Sequence, residues 1–329
     1  MRRLLPLLSA GLLAGCTGWQ SALAPRGPVA DDLHGLFWLF TITCALVWLA
    51  VMLVLLAALL RRPPDGKARQ ERAMQHSARA IGGAVAATVV IVAGLTVASF
   101  LATRSISAHA EDALVIRLRG YQWWWEATYA DPRPDQNFIT ANEIHVPTGR
   151  LVRIELAAAD VIHSFWVPNL SGKQDMIPGR ANSLAFTARK PGTYRAQCAE
   201  FCGLQHAHMA LHVVAEPPEA FERWRTAQVA EAARPHGPEE DEGRRILESK
   251  ACGACHTVRG TQAAGNLGPD LTHVGSRQFI AAGMLPTTRG SLAAWVADPQ
   301  SIKPGSNMPM VPLTADELQA VSAYLTRLR

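Results

Sequence analysis

Two stretches of this chain contain no charged residue, although 18% of all its residues are charged. Residues 33–60 and residues 80–103 are each long enough to cross a hydrocarbon layer of roughly 30 Å. The overall apolar fraction, 49%, is also high for a soluble protein. Both stretches are therefore predicted to be transmembrane helices that form a hairpin, with Cys44 in the first helix as a small apolar residue without chemistry.

Basic residues are concentrated between these two helices, in residues 61–79. The loop contains Arg61, Arg62, Lys67, Arg69, Arg72 and Arg79, against Asp65 and Glu71. Because cytoplasmic loops carry an excess of Lys and Arg, this loop is predicted to be cytoplasmic and everything after Arg104 to lie outside. The net charge of +5 then needs no nucleic acid partner to explain it.

The first sixteen residues, MRRLLPLLSAGLLAGC, have the pattern of a signal peptide: two arginines, a short apolar core and small residues. Leu13-Ala14-Gly15-Cys16 resembles the lipobox of bacterial lipoproteins, in which the cysteine becomes the lipidated first residue. Lipidation of Cys16 is therefore predicted. The alternative is an ordinary cleavage site or an uncleaved leader.

Between Ala113 and Glu216 no helical periodicity longer than two turns occurs, and the whole chain has no internal repeat. This region instead alternates short strand patterns with turn residues, which predicts a β-sandwich at residues 111–216. Residues 217–240 are rich in proline and charge, as expected of a linker with a short helix around 221–233. Residues 241–329 form a last unit with helical patterns at 241–248, 291–297 and 314–328.

The segment CAEFCGLQHAHM, Cys198 to Met209, concentrates soft metal donors. A disulfide between Cys198 and Cys202 is the simpler interpretation outside the cytoplasm, but it requires neither His206 nor Met209. Thiolate, imidazole and thioether together favour copper over zinc. A single blue-type copper would leave one cysteine over, whereas two thiolates can bridge two copper ions, each with one histidine.

The second histidine must come from elsewhere in the chain. His163, in a strand-rich stretch, is favoured over His145. The alternating strand pattern of the sequence around His145 indicates a structural role for that residue.

Four segments, GYQWWWEATY, NEIHVPTGR, DVIHSFWVPNLSGKQDMIPGR and CAEFCGLQHAHM, resemble in order subunit II of haem-copper cytochrome c oxidases. The resemblance covers residues 33–216 and implies a cupredoxin sandwich with a dinuclear CuA centre. It implies that the copper ligands are His163, Cys198, Cys202, His206, Met209 and the backbone carbonyl of Glu200. It also implies that the Glu200 side chain reaches a magnesium ion at the contact with subunit I. His208 and His212 match no ligand position and are interpreted as structural or solvent-facing.

Three consecutive tryptophans, Trp123 to Trp125, cannot all face one side of a strand, since side chains alternate. In the family, the aromatic residue after the glutamine receives electrons from the donor, which here is Trp123 after Gln122. The alternative is packing in the core or at the membrane interface, which is preferred for Trp124 and Trp125.

Cys252-Gly253-Ala254-Cys255-His256 matches the C-x-x-C-H signature of covalent haem c attachment. Both thiols can bond the haem within one helical turn, and His256 then faces the iron. A redox dithiol is the alternative, but no βαβ pattern surrounds the motif.

The second iron ligand should lie about fifty residues downstream. Met308 is favoured because the segment resembles the methionine loop of class I bacterial cytochromes c, in which a proline follows the ligand. Met310, Met284 and His273 are the alternatives. Gly268-Pro269-Asp270-Leu271 resembles the segment that packs on the histidine side of that haem, with Pro269 orienting the ligand.

The predicted fold is therefore multidomain: a two-helix transmembrane hairpin, an all-β cupredoxin-like sandwich and a C-terminal all-α class I cytochrome c domain. By resemblance, the chain is the electron-input subunit of a bacterial inner-membrane oxidase. Its predicted cofactors are two copper ions, one haem c and an interfacial magnesium ion. Its predicted partners are subunit I, subunit III and a soluble or membrane cytochrome c that supplies electrons.

Three other functions agree less well with the sequence. A membrane-anchored copper-delivery or redox-sensing protein would need exchangeable copper, unlike the bridging ligands expected here. A quinol-oxidising relative is disfavoured because such proteins lack these copper ligands, and the hairpin argues against nitrous oxide reductase. The glutamate near the start of the second helix, associated in many relatives with a proton path, is absent here, so no residue is assigned that role.

Overall fold

The computed structural model describes residues 17–61, 66–106 and 113–329. The predicted signal peptide with Cys16, and residues 62–65 of the predicted loop, lie outside the described residues. The chain forms two compact units: Asp31–His109 is one, and Met1–Ala30 together with Ala110–Arg329 is the other.

The first unit contains the two long helices, α1 (Pro28–Leu60) and α2 (Lys67–Ile106). Both are long and apolar enough to cross a membrane. Their apolar side chains point outward, as Leu59 and Val90 do at 75% and 71% exposure, and lipid would cover such a surface. Because α2 begins at Lys67, much of the predicted loop 61–79 is helical: its Ala, Arg, Gln and Glu residues are good helix formers, and a helix can extend beyond its apolar part.

The second unit begins with a β-sandwich of two five-stranded sheets. The strands are β1 (Leu114–Tyr121), β2 (Trp124–Tyr129), β3 (Phe138–Ala141), β4 (Glu143–Pro147), β5 (Leu151–Ala158), β6 (His163–Trp166), β7 (Lys173–Met176), β8 (Asn182–Thr187), β9 (Gly192–Cys198) and β10 (Ala210–Glu216). One sheet has the order β3-β2-β1-β5-β8, and the other has the order β4-β10-β9-β6-β7. The pairs β1–β5 and β4–β10 are parallel.

Alternating burial along the strands builds the core between the sheets. In β1, Ile116 and Leu118 are buried while Arg117 and Arg119 face solvent, which is the pattern that alternating hydrophobicity predicts. Trp125 and Phe165 pack edge to face from opposite sheets, with ring centroids 6.0 Å apart. The sandwich and the helical last domain confirm the predicted fold class.

Half of the predicted linker 217–240 belongs to the sandwich instead. It forms helix α3 (Pro218–Val229), somewhat earlier than the predicted helix at 221–233. Phe221 and Gln228 are both buried, Phe221 in the core of the sandwich, and Trp224 stacks on His145 with ring centroids 4.1 Å apart. The spacing of these three residues puts them on one face of the helix. Residues 230–237 are left as the connection.

The last domain is helical, with α4 (Pro238–Ser249), α5 (Cys252–Cys255), α6 (Arg289–Ala297), α7 (Pro299–Ile302) and α8 (Ala315–Arg327), and a short β11–β12 hairpin (Phe279–Ile280 and Leu285–Pro286). Helices α4 and α8 pack closely at Gly243, where a Cβ would lie 2.1 Å from the Ala320 carbonyl oxygen. A capping box between Thr314 and Glu317 begins α8. The core of this domain includes Leu247, Val321 and Tyr324.

Candidate copper and haem sites

The copper ligand candidates meet at one end of the second sheet because its strands β10, β9 and β6 are neighbours. His163 is the first residue of β6, Cys198 is the last residue of β9, and Met209 directly precedes β10. The Cys198 amide donates to the Met209 carbonyl at 3.0 Å and closes the base of the loop that carries Cys202 and His206. Residues that are far apart in sequence thus converge.

The donor atoms form a compact group. The Cys198 and Cys202 sulfurs lie 3.7 Å apart. His163 Nδ1 lies 3.8 Å from the Cys198 sulfur, and His206 Nδ1 lies 3.7 Å from the Cys202 sulfur. Met209 Sδ lies 3.8 Å from the Cys202 sulfur. The Glu200 carbonyl oxygen lies 3.2 Å from the Cys198 sulfur. Two central sulfurs with an imidazole beside each make a donor set that suits copper.

Both cysteines are buried free thiols. The hydrogen bond between the two thiols lowers the pKa of Cys198, although burial opposes this effect, and the same interaction raises the pKa of Cys202. Metal binding to such a pair releases protons.

Three residues outside the ligand set support it. Asp160 accepts a hydrogen bond from Nε2 of His163 at 2.9 Å, which leaves Nδ1 free to face the cysteines. The Gln122 side chain donates to the Cys202 carbonyl at 2.7 Å. Gly120 makes room for His163, since a Cβ there would lie 2.9 Å from the imidazole.

The three tryptophans have separate surroundings, as alternation requires. Trp123 is 9% exposed, and its indole N–H donates to the Cys202 carbonyl at 2.9 Å. Trp125 is fully buried in the core. Trp124 stacks on Tyr121 with ring centroids 4.6 Å apart, and both rings line the cavity of the last domain rather than the sandwich core.

The other histidines lie apart from the sulfurs. His145 lies between Glu143 and Glu216, at 3.2 and 3.0 Å from their carboxylate oxygens. Burial lowers its pKa, but these hydrogen bonds outweigh that effect and raise it overall. His208 is exposed, while His212 is buried and stacks on Phe279 of the last domain, with centroids 4.3 Å apart.

The Glu200 side chain, the predicted magnesium ligand, is 43% exposed and lies 3.6 Å from the ammonium of Lys173. Its carboxylate is therefore available at the surface next to the copper ligand loop.

A second candidate site is a cavity of about 440 Å³ in the last domain. The four predicted haem residues all line it: Cys252, Cys255, His256 and Met308. Its wall is mainly apolar, with Leu247, Leu292 and Val321 among the lining side chains, as a flat hydrophobic cofactor requires.

Neighbouring groups hold the imidazole ring of His256 in one orientation. Its Nδ1 lies 2.7 Å from the Pro269 carbonyl, which accepts that proton and leaves Nε2 as the free ligand atom. Gly268 lies against the ring, since a Cβ there would meet the imidazole at 2.6 Å. Burial lowers the pKa of His256, which favours the neutral imidazole that binds iron.

The alternatives to Met308 do not line the cavity. Met310 is 63% exposed. His273 is buried, but its Nε2 faces the Ala230 carbonyl at 3.1 Å. Met284 is also absent from the cavity wall.

Residues of both domains form the wall of this cavity. Tyr121, Trp123 and Trp124 come from the sandwich and line it together with the cysteines of the C-x-x-C-H motif. Because Trp123 also bonds the Cys202 carbonyl, one side chain contacts the surroundings of both sites.

Sequence reasoning missed Asp160, Lys303 and the role of Gln122. Asp160 has a local signal, since it lies three residues before His163. Lys303 has none: it contacts the sandwich at Trp123 and His208, which lie 180 and 95 positions earlier in the chain.

Comparisons with known proteins identify the two domains in which these candidate sites lie. The family model described as "Cytochrome C oxidase subunit II, periplasmic domain" matches residues 132–216, and the model described as "Cytochrome c" matches residues 240–329. The cytochrome c oxidase subunit 2 of Alkalihalophilus pseudofirmus is 34% identical over 340 residues, covering 99% of this chain and 97% of the relative. A Bacillus relative with the same name is 34% identical, covering 67% of this chain and 63% of its own length.

Among solved structures, the periplasmic domain of subunit II of cytochrome oxidase from Bradyrhizobium japonicum is 32% identical. The match has a TM-score of 0.34 and covers 37% of this chain and 95% of that one. Because one relative matches almost end to end at 34% identity, the chain belongs to the cytochrome c oxidase subunit 2 family.

Proposed function

We propose that this chain is the electron-input subunit of a bacterial inner-membrane oxidase, in which electrons pass from a haem c to a dinuclear copper centre. The matched domains imply copper in the sandwich and haem c in the last domain. Helices α1 and α2 anchor the chain in the membrane, and the other two domains are periplasmic. Oxygen reduction, coupled to proton translocation, would then occur in subunit I.

The position of Trp123 carries this proposal. Its indole lies in the wall of the haem cavity and donates to the carbonyl of Cys202, a predicted copper ligand. Trp123 would therefore lie between a haem held in this cavity and the copper ligand loop, with one hydrogen bond to the backbone of Cys202. This contact supports Trp123 as the residue that receives electrons, here from the chain's own haem.

The ligand set favours two copper ions over one. Each imidazole lies beside a different sulfur, His163 beside Cys198 and His206 beside Cys202. When bound, the metal ions and the haem supply the one-electron oxidation and reduction that no side chain here provides. The buried loop and its hydrogen bonds to Gln122 and Asp160 hold the ligands in place, so that little needs to move when the charge changes.

The contact with subunit I is proposed at the copper ligand loop. Phe201 projects from that loop beside His206 and is 77% exposed, an apolar surface that a partner would cover. The neighbouring carboxylate of Glu200 is the proposed magnesium ligand. On binding magnesium, this carboxylate would give up its ion pair with Lys173. Subunit III completes the proposed complex.

The external electron donor is proposed to dock at the rim of the haem cavity. Leu267 lines the cavity and is 76% exposed, and Met310 follows the Met308-Pro309 segment of the wall at 63% exposure. A soluble or membrane cytochrome c with an apolar contact surface fits this rim. The last domain would then act as a tethered electron donor, and the tether raises the effective concentration of that donor at the copper site.

The test is the metal content of the purified oxidase, together with an EPR spectrum and time-resolved reduction. We expect two copper ions and one haem c in this chain, one unpaired electron shared by both copper nuclei, and copper reduction that follows haem c reduction. A single copper that a chelator removes readily would contradict the proposal and favour copper delivery.

A pair of variants tests the route. Trp123→Phe removes the N–H that bonds the Cys202 carbonyl, whereas Trp124→Phe changes a neighbour that lines the same cavity. We expect haem-to-copper transfer to slow about tenfold in Trp123→Phe, equivalent to ~1.4 kcal/mol on the barrier, and to change little in Trp124→Phe. Equal rates in both variants would contradict the route.

A further inference from the structure

Lys303 is a buried lysine whose ammonium joins the two metal-binding domains. It lies in the last domain, directly after α7, and only 3% of it is exposed. Its Nζ donates to the carbonyls of Trp123 at 2.7 Å, His208 at 2.8 Å and Ala281 at 3.3 Å. Two of these three acceptors belong to the sandwich.

Two of these acceptors lie next to the proposed metal sites. Trp123 lies between the haem cavity and Cys202. His208 lies in the copper ligand loop, between the predicted ligands His206 and Met209. The ammonium of Lys303 therefore holds the backbone on both sides of the proposed electron route.

Neighbouring contacts tie the same two loops together. Gln205 donates to the Pro304 carbonyl at 2.8 Å. Gly305 lies close to the sandwich, since a Cβ there would be 3.2 Å from Leu204 and 3.6 Å from Trp123. The turn that leads to Met308 thus packs directly on the loop that carries the copper ligands.

A buried ammonium is costly unless its donors are satisfied. Within the described residues no carboxylate pairs with Lys303, so carbonyl oxygens alone satisfy its donors. Its three N–H groups match three carbonyls arranged around one point. A planar guanidinium would not present its donors in that arrangement.

We propose that Lys303 is a positioning residue that locks the last domain onto the copper ligand loop and so keeps Trp123 in the wall of the haem cavity. The inference rests on the proposed transfer of electrons from haem to copper. It predicts a fixed contact between the domains, in which the haem does not have to search for the copper site.

The test compares Lys303→Met with the wild type in the purified oxidase. Because the wall of the haem cavity and the copper ligand loop would lose this fixed contact, we expect haem-to-copper transfer to slow about tenfold, equivalent to ~1.4 kcal/mol on the barrier. Lys303 is a buried part of the cavity wall, away from the exposed rim residues Leu267 and Met310, so reduction of the haem by an external cytochrome c should slow less than haem-to-copper transfer. The copper EPR spectrum should stay unchanged, because Lys303 bonds the backbone of His208 and no copper ligand side chain. Lys190→Met, the same change at an exposed lysine of the sandwich, is the control.

A second readout does not depend on electron transfer. Backbone amides of residues 203–209 and 281–283 should exchange hydrogen faster in Lys303→Met than in the wild type or in Lys190→Met. Wild-type exchange together with a wild-type transfer rate in Lys303→Met would overturn the role of Lys303. If the wild-type haem failed to reduce copper, the proposed function would be wrong, and the exchange data would still decide whether Lys303 locks the domains.

Lys303→Arg separates geometry from charge, and it decides the question if Lys303→Met fails to mature. The guanidinium keeps the positive charge but not the three-carbonyl arrangement, so slower transfer and faster exchange are expected here too. A wild-type rate in Lys303→Arg would show that the charge alone suffices and would overturn the positioning role.

Discussion

At the scale of single residues, hydrogen-bonded neighbours orient the metal ligands. Asp160 holds His163 by its Nε2, and the Pro269 carbonyl holds His256 by its Nδ1. In both pairs the acceptor determines which ring nitrogen carries the proton and which one is free for metal. Loss of such a partner typically lowers metal affinity by about 10- to 100-fold.

Asp160→Asn should therefore weaken copper retention without removing a ligand. The amide preserves the shape of the side chain but lacks the negative charge that supports His163 as a ligand. We expect copper affinity to fall about tenfold or more, measured by competition with a chelator. Asp135→Asn, at an exposed turn of the same domain, is the control, and equal affinity in both variants would contradict this role.

Met308 and Met310 offer a matched pair at the haem. Met308 lines the cavity, whereas Met310 is largely exposed. In Met308→Leu we expect loss of the methionine-to-iron absorption band and a lower haem potential, since leucine offers no sulfur ligand. Met310→Leu should retain both properties. The reverse result in optical and redox titration would identify Met310 as the ligand.

At the scale of elements, α3 is part of the sandwich and not a flexible connection. Its Phe221 is 1% exposed, and its Trp224 covers His145 and Tyr129. The helix therefore buries a side of the domain that strands alone would leave open, and only residues 230–237 remain as the connection to α4.

Phe221→Ala should destabilise the sandwich by about 3 kcal/mol, the usual cost of removing a fully buried phenylalanine side chain. Denaturant unfolding of the oxidase, followed by the fluorescence of the sandwich tryptophans, measures the change. Arg223→Ala, at an exposed position of the same helix, should shift stability by less than about 0.5 kcal/mol. If both variants were equally stable, α3 would be a linker as its composition suggests.

At the scale of the whole molecule, two long helices anchor the chain, and the metal-binding domains share one cavity wall. The excess of basic residues between the helices predicts a cytoplasmic loop. The chain would then expose its helix connection on one side of the membrane and both redox sites on the other.

Labelling of two single substitutions checks this orientation. Gln75→Cys lies in the part of α2 that belongs to the basic segment 61–79, and Glu219→Cys lies in α3 on the sandwich; both positions are exposed. A membrane-impermeant thiol reagent should label Gln75→Cys only in inverted vesicles and Glu219→Cys only in right-side-out vesicles. Labelling of both variants from the same side would show that the predicted topology is wrong.

Local patterns were enough to predict the elements and most candidate ligands. Absence of charge over 33–60 and 80–103 indicated the hairpin. Alternating apolar and polar residues in β1 indicated a strand with one buried face and one exposed face. The C-x-x-C-H motif and the dense donors from Cys198 to Met209 placed candidate ligands within a few residues of one another. These signals work because a helical turn, a strand period and a ligand spacing all depend on neighbours in the chain.

Contacts between distant residues were decided by the tertiary structure alone. The composition of 217–240 predicts a linker. Phe221 and Trp224 nevertheless pack against the sandwich, a contact that no local sequence pattern indicates. Trp124, expected to serve packing, lines the haem cavity because the last domain packs against it. In sequence, Lys303 is indistinguishable from an ordinary surface lysine. In the structure, three carbonyls from separate segments, two of them in the sandwich, surround its buried ammonium. Only the folded chain brings these carbonyls together.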